Sequence, residues 1–248
     1  MNEVIKLINN HRSLRKFSEE KLSQEEIENL VGAAQSASTS STSSYVQAYS
    51  IIGVTDEEKK KQLREISTQS YVEHNGHLFV FVVDFYRNNE LAKKFDQSIS
   101  YDKTENLIVG VVDASLAAQN MAIAAESMGL GMCYIGSLRN DVNKVKEILD
   151  LPEATFPLFG MVVGHPTTKG SQKERLPFKA IYHENTYQRV EQVESIIEEY
   201  DQSVSEYYKE RTNGQRDDKW SEQVVKTLMK KQRLDVDSFL KSQGFLGQ

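Results

Sequence analysis

One octapeptide limits the possible folds more than any other stretch: LFVFVVDF, Leu78–Phe85. Its run of aromatic and β-branched residues shows no polar alternation, the pattern of a strand with both faces buried. VQAYSIIGV, GLGMCYIG and FPLFGMVVG supply further strand-like segments. Helical patterns lie between and around them. Residues 2–10 put Val4, Ile5 and Ile8 on one face, and Ser23 with Glu26 forms a capping box that opens a helix running to Ala37. Charged helices are expected over 56–66 and 141–149, with a loop carrying Gln69 and Tyr71 after the first of them. Helices and strands alternate without strict βα units.

The most apolar stretch, Leu107–Ala125, approaches membrane-spanning length. It contains Asp113, Gln119 and Asn120 and is followed by Glu126, so it reads as a buried central helix. Near the C-terminus, Val190, Val193, Ile196, Ile197, Tyr200, Val204 and Tyr207 follow helical spacing on a polar background, and such an amphipathic helix must dock on something. A polar stretch, Lys209–Lys219, follows with Gly214 near its centre, and helices are expected around 221–230 and 236–243.

A hydrophobic fraction of 39% over 248 residues can fill a core. The net charge of -6 is spread without long basic or acidic blocks, which disfavours nucleic-acid and membrane-surface partners. The single cysteine, Cys133, excludes an intramolecular disulfide, and the opening MNEVIKLINNHRS lacks a signal-peptide pattern, so a reducing cytoplasm is the expected compartment.

Several residue groups could carry chemistry. His11, Arg12, Ser13 and Arg15 crowd into one turn, where guanidinium and hydroxyl donors suit a phosphate. Lys173 and Arg175 form a second basic pair, after the VVGHP strand end. Ser41, Thr42 and Ser43 lie in a hydroxyl-rich run, and Gln69 and Tyr71 offer an amide and a phenol. In Ile135-Gly136-Ser137 the glycine follows a strand directly, so a flat ligand could lie on the backbone there. On spacing alone, a solvated basic turn, a flexible linker or a simple strand end fits these groups as well. Cys133 sits in an apolar strand without an adjacent base and reads as a structural thiol. His74 and His77 are spaced for one helix face but lack the further ligands of a metal site, so no metal is expected. Neither GxGxxG nor GxxxxGK[ST] occurs, which disfavours Rossmann and P-loop enzymes.

In their order along the chain, HRSLRKF, SSYVQAYSII, TQSYVE, YIGSLRN, VVGHP, KERLP and EYYKERTNGQRDDKWS resemble the oxygen-insensitive NADPH nitroreductase and flavin reductase family, in its larger NADPH-linked branch. The resemblance implies an α+β nitroreductase-like fold: a central, mostly antiparallel sheet flanked by helices, residues 1–185 forming the FMN-binding core and 186–248 a helical extension that wraps a partner subunit of a homodimer. It further implies bound FMN, NADPH as co-substrate, and small electrophilic acceptors such as nitroaromatics, quinones or free flavin. Carried over by position, His11, Arg12 and Ser13 would contact the FMN phosphate and ribityl chain, with Lys173 and Arg175 completing the phosphate site. Arg15 would stand near the pyrimidine edge and support the flavin, which itself carries the chemistry without a protein nucleophile. The Ser41–Ser43 region and Gln69 would reach the flavin, Ile135, Gly136 and Ser137 would lie along its face, and Arg211 and Arg216 would read the 2′-phosphate of NADPH. Two competing expectations are a non-catalytic flavin-binding or flavin-sensing protein, and a flavin reductase whose acceptor is a disulfide or free FMN.

Overall fold

The octapeptide forms most of β2 (His77–Asp84), whose eight residues are all buried. Leu78, Val80 and Val82 point into one apolar cluster. Phe79, Phe81 and Val83 point into another. Burial of each such side chain stabilises the fold by roughly 1.5–3 kcal/mol, which makes this strand the centre of the molecule's stability. The structure, a computed structural model, describes residues 1–39, 44–230 and 233–247. Ser41, Thr42 and Ser43 lie outside the described residues.

Contacts divide the chain into two compact units, Met1–Gly170 with Arg233–Gln248 and Ser171–Gln232. In the first, β1 (Tyr49–Val54), β2, β3 (Gly131–Ile135) and β4 (Thr155–Gly164) form a four-stranded sheet in the order β1-β2-β4-β3. Every neighbouring pair is antiparallel. The first cluster is built with α2 (Gln24–Gln35), α5 (Thr104–Ser127) and α10 (Val236–Ser242). Residues of α3 (Glu57–Ser67) and α6 (Val142–Leu149) pack into the second. Among the described residues, this unit also contains the helices α1 (Glu3–Asn9) and α4 (Tyr86–Lys93). The expected capping box is present, with Ser23 accepting from the Glu26 amide and Glu26 reaching back to Ser23.

Length and composition alone would let α5 cross a membrane. Instead its stripe of Gly110, Asp113, Ala114, Ala117, Ala118, Met121, Ala122 and Ala125 is buried, while Ile108 on another side is exposed. The central helix is therefore buried along one face rather than all round. The polar residue inside that stripe has a structural use, because Asp113 Oδ2 accepts a hydrogen bond from the Ala48 amide at 2.9 Å and ties the helix to the start of β1.

The expected loop at Gln69 and Tyr71 contains a 3-10 turn, Ser70–Val72, with Gln69 at its N-terminal boundary. Two expectations are corrected. His77 is not on a helix with His74: it opens β2 paired to Val163, because the sheet register takes precedence over the local spacing. The C-terminal amphipathic helix begins only at Glu194, and Val190 lies in a separate 3-10 turn with its side chain exposed.

The second unit contains α7 (Phe178–Ile181), α8 (Glu194–Arg211) and α9 (Trp220–Met229). Its own small core joins Tyr200, Val204 and Tyr208 to Leu176, Tyr207 and Trp220. The buried stripe of α8 thus ends on Tyr208, one residue beyond the Tyr207 that the spacing picks out.

Candidate active site

Extended backbone after α1 builds the first group of candidate residues. The Leu14 amide donates to Met132 O at 2.9 Å, Ser18 donates to His165 O at 2.9 Å, and Phe17 bridges Pro166. The segment is thereby pinned beside the ends of β3 and β4. Leu14 fills the space beside Gly131 and Gly170, where an added Cβ would come within 2.9 Å and 2.6 Å of it. Ser13 and Arg15 instead bear on the Cys133 thiol, as does Tyr71 from the 3-10 turn. Four residues from three separate segments meet there. Burial pushes the Cys133 thiol up, with the Arg15 guanidinium acting in the opposite direction, so it stays a protonated structural thiol. Burial likewise raises the Tyr71 phenol.

Arg12 takes a different course. Its Nε donates to Asn10 O at 3.1 Å and its Nη1 reaches Lys169 O at 3.5 Å. It borders a cavity of about 430 Å³ whose lining includes Leu14, Glu126, Thr167, Thr168 and Lys169. His11 Nδ1 lies 2.6 Å from Glu126 Oε1 at the end of α5, which orients the ring and leaves Nε2 as its outward nitrogen.

At the end of β3, Ile135 has its side chain in the core, so only its backbone can meet a ligand. A Cβ on Gly136 would touch nothing nearer than an Arg139 nitrogen at 3.6 Å. No protein neighbour requires glycine there, and the missing side chain would let a flat ring approach the backbone. Ser137 follows in the 3-10 turn Gly136–Asn140. The constellation fits a flavin: fixed cations, hydroxyls and a bare strand end, with no metal-ligating cluster of His, Cys, Asp or Glu among the described residues.

The second unit gathers the other cations. Lys173 Nζ donates to Tyr208 Oη at 3.0 Å, and the Arg216 guanidinium lies 4.3 Å from the centre of the same ring. Arg211 Nη1 donates to Tyr207 Oη at 2.7 Å. Arg175 is exposed and turns back on Lys173 O at 2.6 Å. The loop carrying Lys173 is laced to α8, with Ser171 against Tyr207, the Tyr200 hydroxyl donating to Glu174 O, and Ser203 bonded to the Glu174 carboxylate. Asp201 fixes the start of α9 by accepting from the Ser221 amide at 2.8 Å, and Thr212 Oγ1 accepts from the Arg216 amide at 2.9 Å. Both ends of the basic loop are therefore tied.

Sequence reasoning missed Glu126, Lys169, Tyr207 and Tyr208 as partners of these groups. Only Tyr207 left a sequence signal, its place in the helical spacing of α8. A carboxylate ending an apolar helix and a lysine in a loop have no pattern of their own.

A four-stranded antiparallel sheet edged by a cationic turn, with a separate helical unit holding further cations, defines an α+β protein built to bind anionic ligands. The chain belongs to the nitroreductase family: residues 8–165 match the model of the nitroreductase family and residues 173–248 that of its C-terminal domain. It is 50% identical to the FMN reductase (NADPH) of Bacillus subtilis over 99% of both chains. The structure of the nitroreductase NfrA1 from B. subtilis superposes with a TM-score of 0.95 at 49% identity, covering 98% of this chain and 99% of that one. The NADPH:FMN oxidoreductase of Vibrio harveyi, solved in complex with NAD+, superposes with a TM-score of 0.89 at 37% identity over the whole of both chains.

Proposed function

We propose that the protein is a cytoplasmic, homodimeric FMN-dependent NADPH oxidoreductase that reduces nitroaromatics, quinones or free flavin. The meeting of Ser13, Arg15 and Tyr71 at Cys133, in the strand that leads into Gly136, is the observation that carries this reading. FMN bound there would supply the redox chemistry, taking up hydride equivalents from NADPH and giving electrons to the acceptor.

The chain's own residues bind and orient. His11, held by Glu126, Arg12 and Ser13 serve the phosphate and ribityl chain, and Lys173 and Arg175 add charge for the phosphate. Arg15 would place a positive charge at the pyrimidine edge of the flavin and so stabilise the negative charge of the reduced ring more than the oxidised one. Gln69, Tyr71 and the Ser41–Ser43 region would hold the ring, and the backbone of Ile135, Gly136 and Ser137 would lie along its face. Arg211 and Arg216 read the 2′-phosphate of NADPH, a dianion that NADH lacks. Residues 1–185 act as the flavin-binding core, and the 186–248 extension embraces the partner subunit. No side chain acts as nucleophile, and a single cysteine cannot run dithiol exchange.

The test is direct. Purified protein should be yellow and bleach rapidly with NADPH but slowly with NADH. Arg15→Ala should slow single-turnover bleaching more than it weakens NADPH binding; an unchanged bleaching rate removes Arg15 from the mechanism. Comparing turnover on nitrofurazone, a quinone, FMN and a low-molecular-weight disulfide identifies the acceptor class.

A further inference from the structure

Tyr208 is buried within the second unit, yet it is the meeting point of two cations. Its hydroxyl accepts from Lys173, whose ammonium also lies 5.2 Å from the ring centre. Its face carries the Arg216 guanidinium at 4.3 Å, well inside cation–π range. Asp218 Oδ2 accepts from Arg216 Nε at 2.6 Å, so the ring and this carboxylate together set the plane of the guanidinium. The Lys173 hydrogen bond also holds the Tyr208 phenol below its ordinary pKa.

We propose that Tyr208 is a positioning residue shared by two anion sites: its hydroxyl places Lys173 for the FMN phosphate, and its ring face places Arg216 for the 2′-phosphate of NADPH. This rests on the roles given above to Lys173 and Arg216. The two functions belong to different parts of one side chain and are separable. Tyr207 makes an independent arrangement with Arg211, its ring packed edge-on to Tyr208 with centroids 5.3 Å apart.

The experiment compares Tyr208→Phe, which keeps the ring, with Tyr208→Leu, which keeps neither group. FMN affinity is measured by fluorescence titration of the apoprotein. Reading of the 2′-phosphate is measured by calorimetry on the oxidised holoprotein, as the affinity ratio of adenosine 2′,5′-bisphosphate to AMP. Tyr208→Phe should weaken FMN binding about threefold to tenfold and leave the ratio unchanged. Tyr208→Leu should weaken FMN similarly and also lower the ratio about threefold to fivefold. Rescue of the ratio by phenylalanine distinguishes positioning from a general loss of structure. Parallel losses of both readouts in the two variants, or no change in either, overturn the proposal. Arg216→Ala serves as the reference: if it leaves the ratio intact, the underlying reading of Arg216 has failed, whereas a collapsed ratio there beside an intact one in Tyr208→Leu removes Tyr208 alone.

Discussion

At residue scale, His77 shows how a single polar side chain can set the acid limit of the fold. It is buried against Gly53, where an added Cβ would come within 2.7 Å of Nε2, and that nitrogen has no hydrogen-bond partner. Burial, reinforced by the Lys60 and Lys21 ammoniums, pushes the imidazole down from 6.5 to about 4. The unfolded chain therefore takes up this proton first. The stability owed to the neutral ring is fully present above about pH 6.5 and is lost as pH falls through about 4, amounting to about 3 kcal/mol. His77→Leu should flatten the urea-denaturation stability of the protein over that window. Parallel pH profiles for variant and wild type would exclude His77 as the source. The sequence suggested only that His74 and His77 were not a metal pair. That one is exposed and the other orphaned in the core follows from where β2 starts.

At element scale, α5 crosses close over β2 because Gly110 permits it. A Cβ there would come within 2.4 Å of Val83 Cγ1 and 3.3 Å of Ala48 O. The second of these atoms is backbone on the segment that Asp113 anchors, so it cannot swing away. Gly110→Ala should destabilise the fold by about 1–3 kcal/mol despite the better helix propensity of alanine, measured as a lowered denaturation midpoint with unchanged slope. A midpoint equal to or above that of wild type would show that the helix can shift to make room. The sequence displayed this helix by its apolarity and β2 by its unbroken β-branched run, since both signals depend on near neighbours. It could not display which stripe of α5 is covered. A residue count near membrane length gave no means of choosing a face.

At the scale of the whole molecule, α1 carries Val4, Ile5 and Ile8 exposed on the helix that leads into His11. The same three residues share a face by spacing, yet no residue of α1 is buried within the chain. The proposed homodimer gives this face a function. Ile5→Glu combined with Ile8→Glu should yield monomers in light scattering and release FMN, since the turn that follows α1 contributes to the phosphate site. A dimer with its flavin retained would place the interface elsewhere. The sequence by itself determined the four strands and the longer helices, though not α4 or α7, together with the capping box, the two-faced burial of β2 and the absence of a nucleotide-binding glycine motif, because propensity and periodicity are set by residues adjacent along the chain. Tertiary structure alone decided that Glu126 meets His11 across 115 residues, that Ser13, Arg15 and Tyr71 share Cys133, and that Tyr208 holds Lys173 and Arg216 together. Contacts between remote side chains are chosen by the packing of whole elements and leave no periodic trace in the sequence.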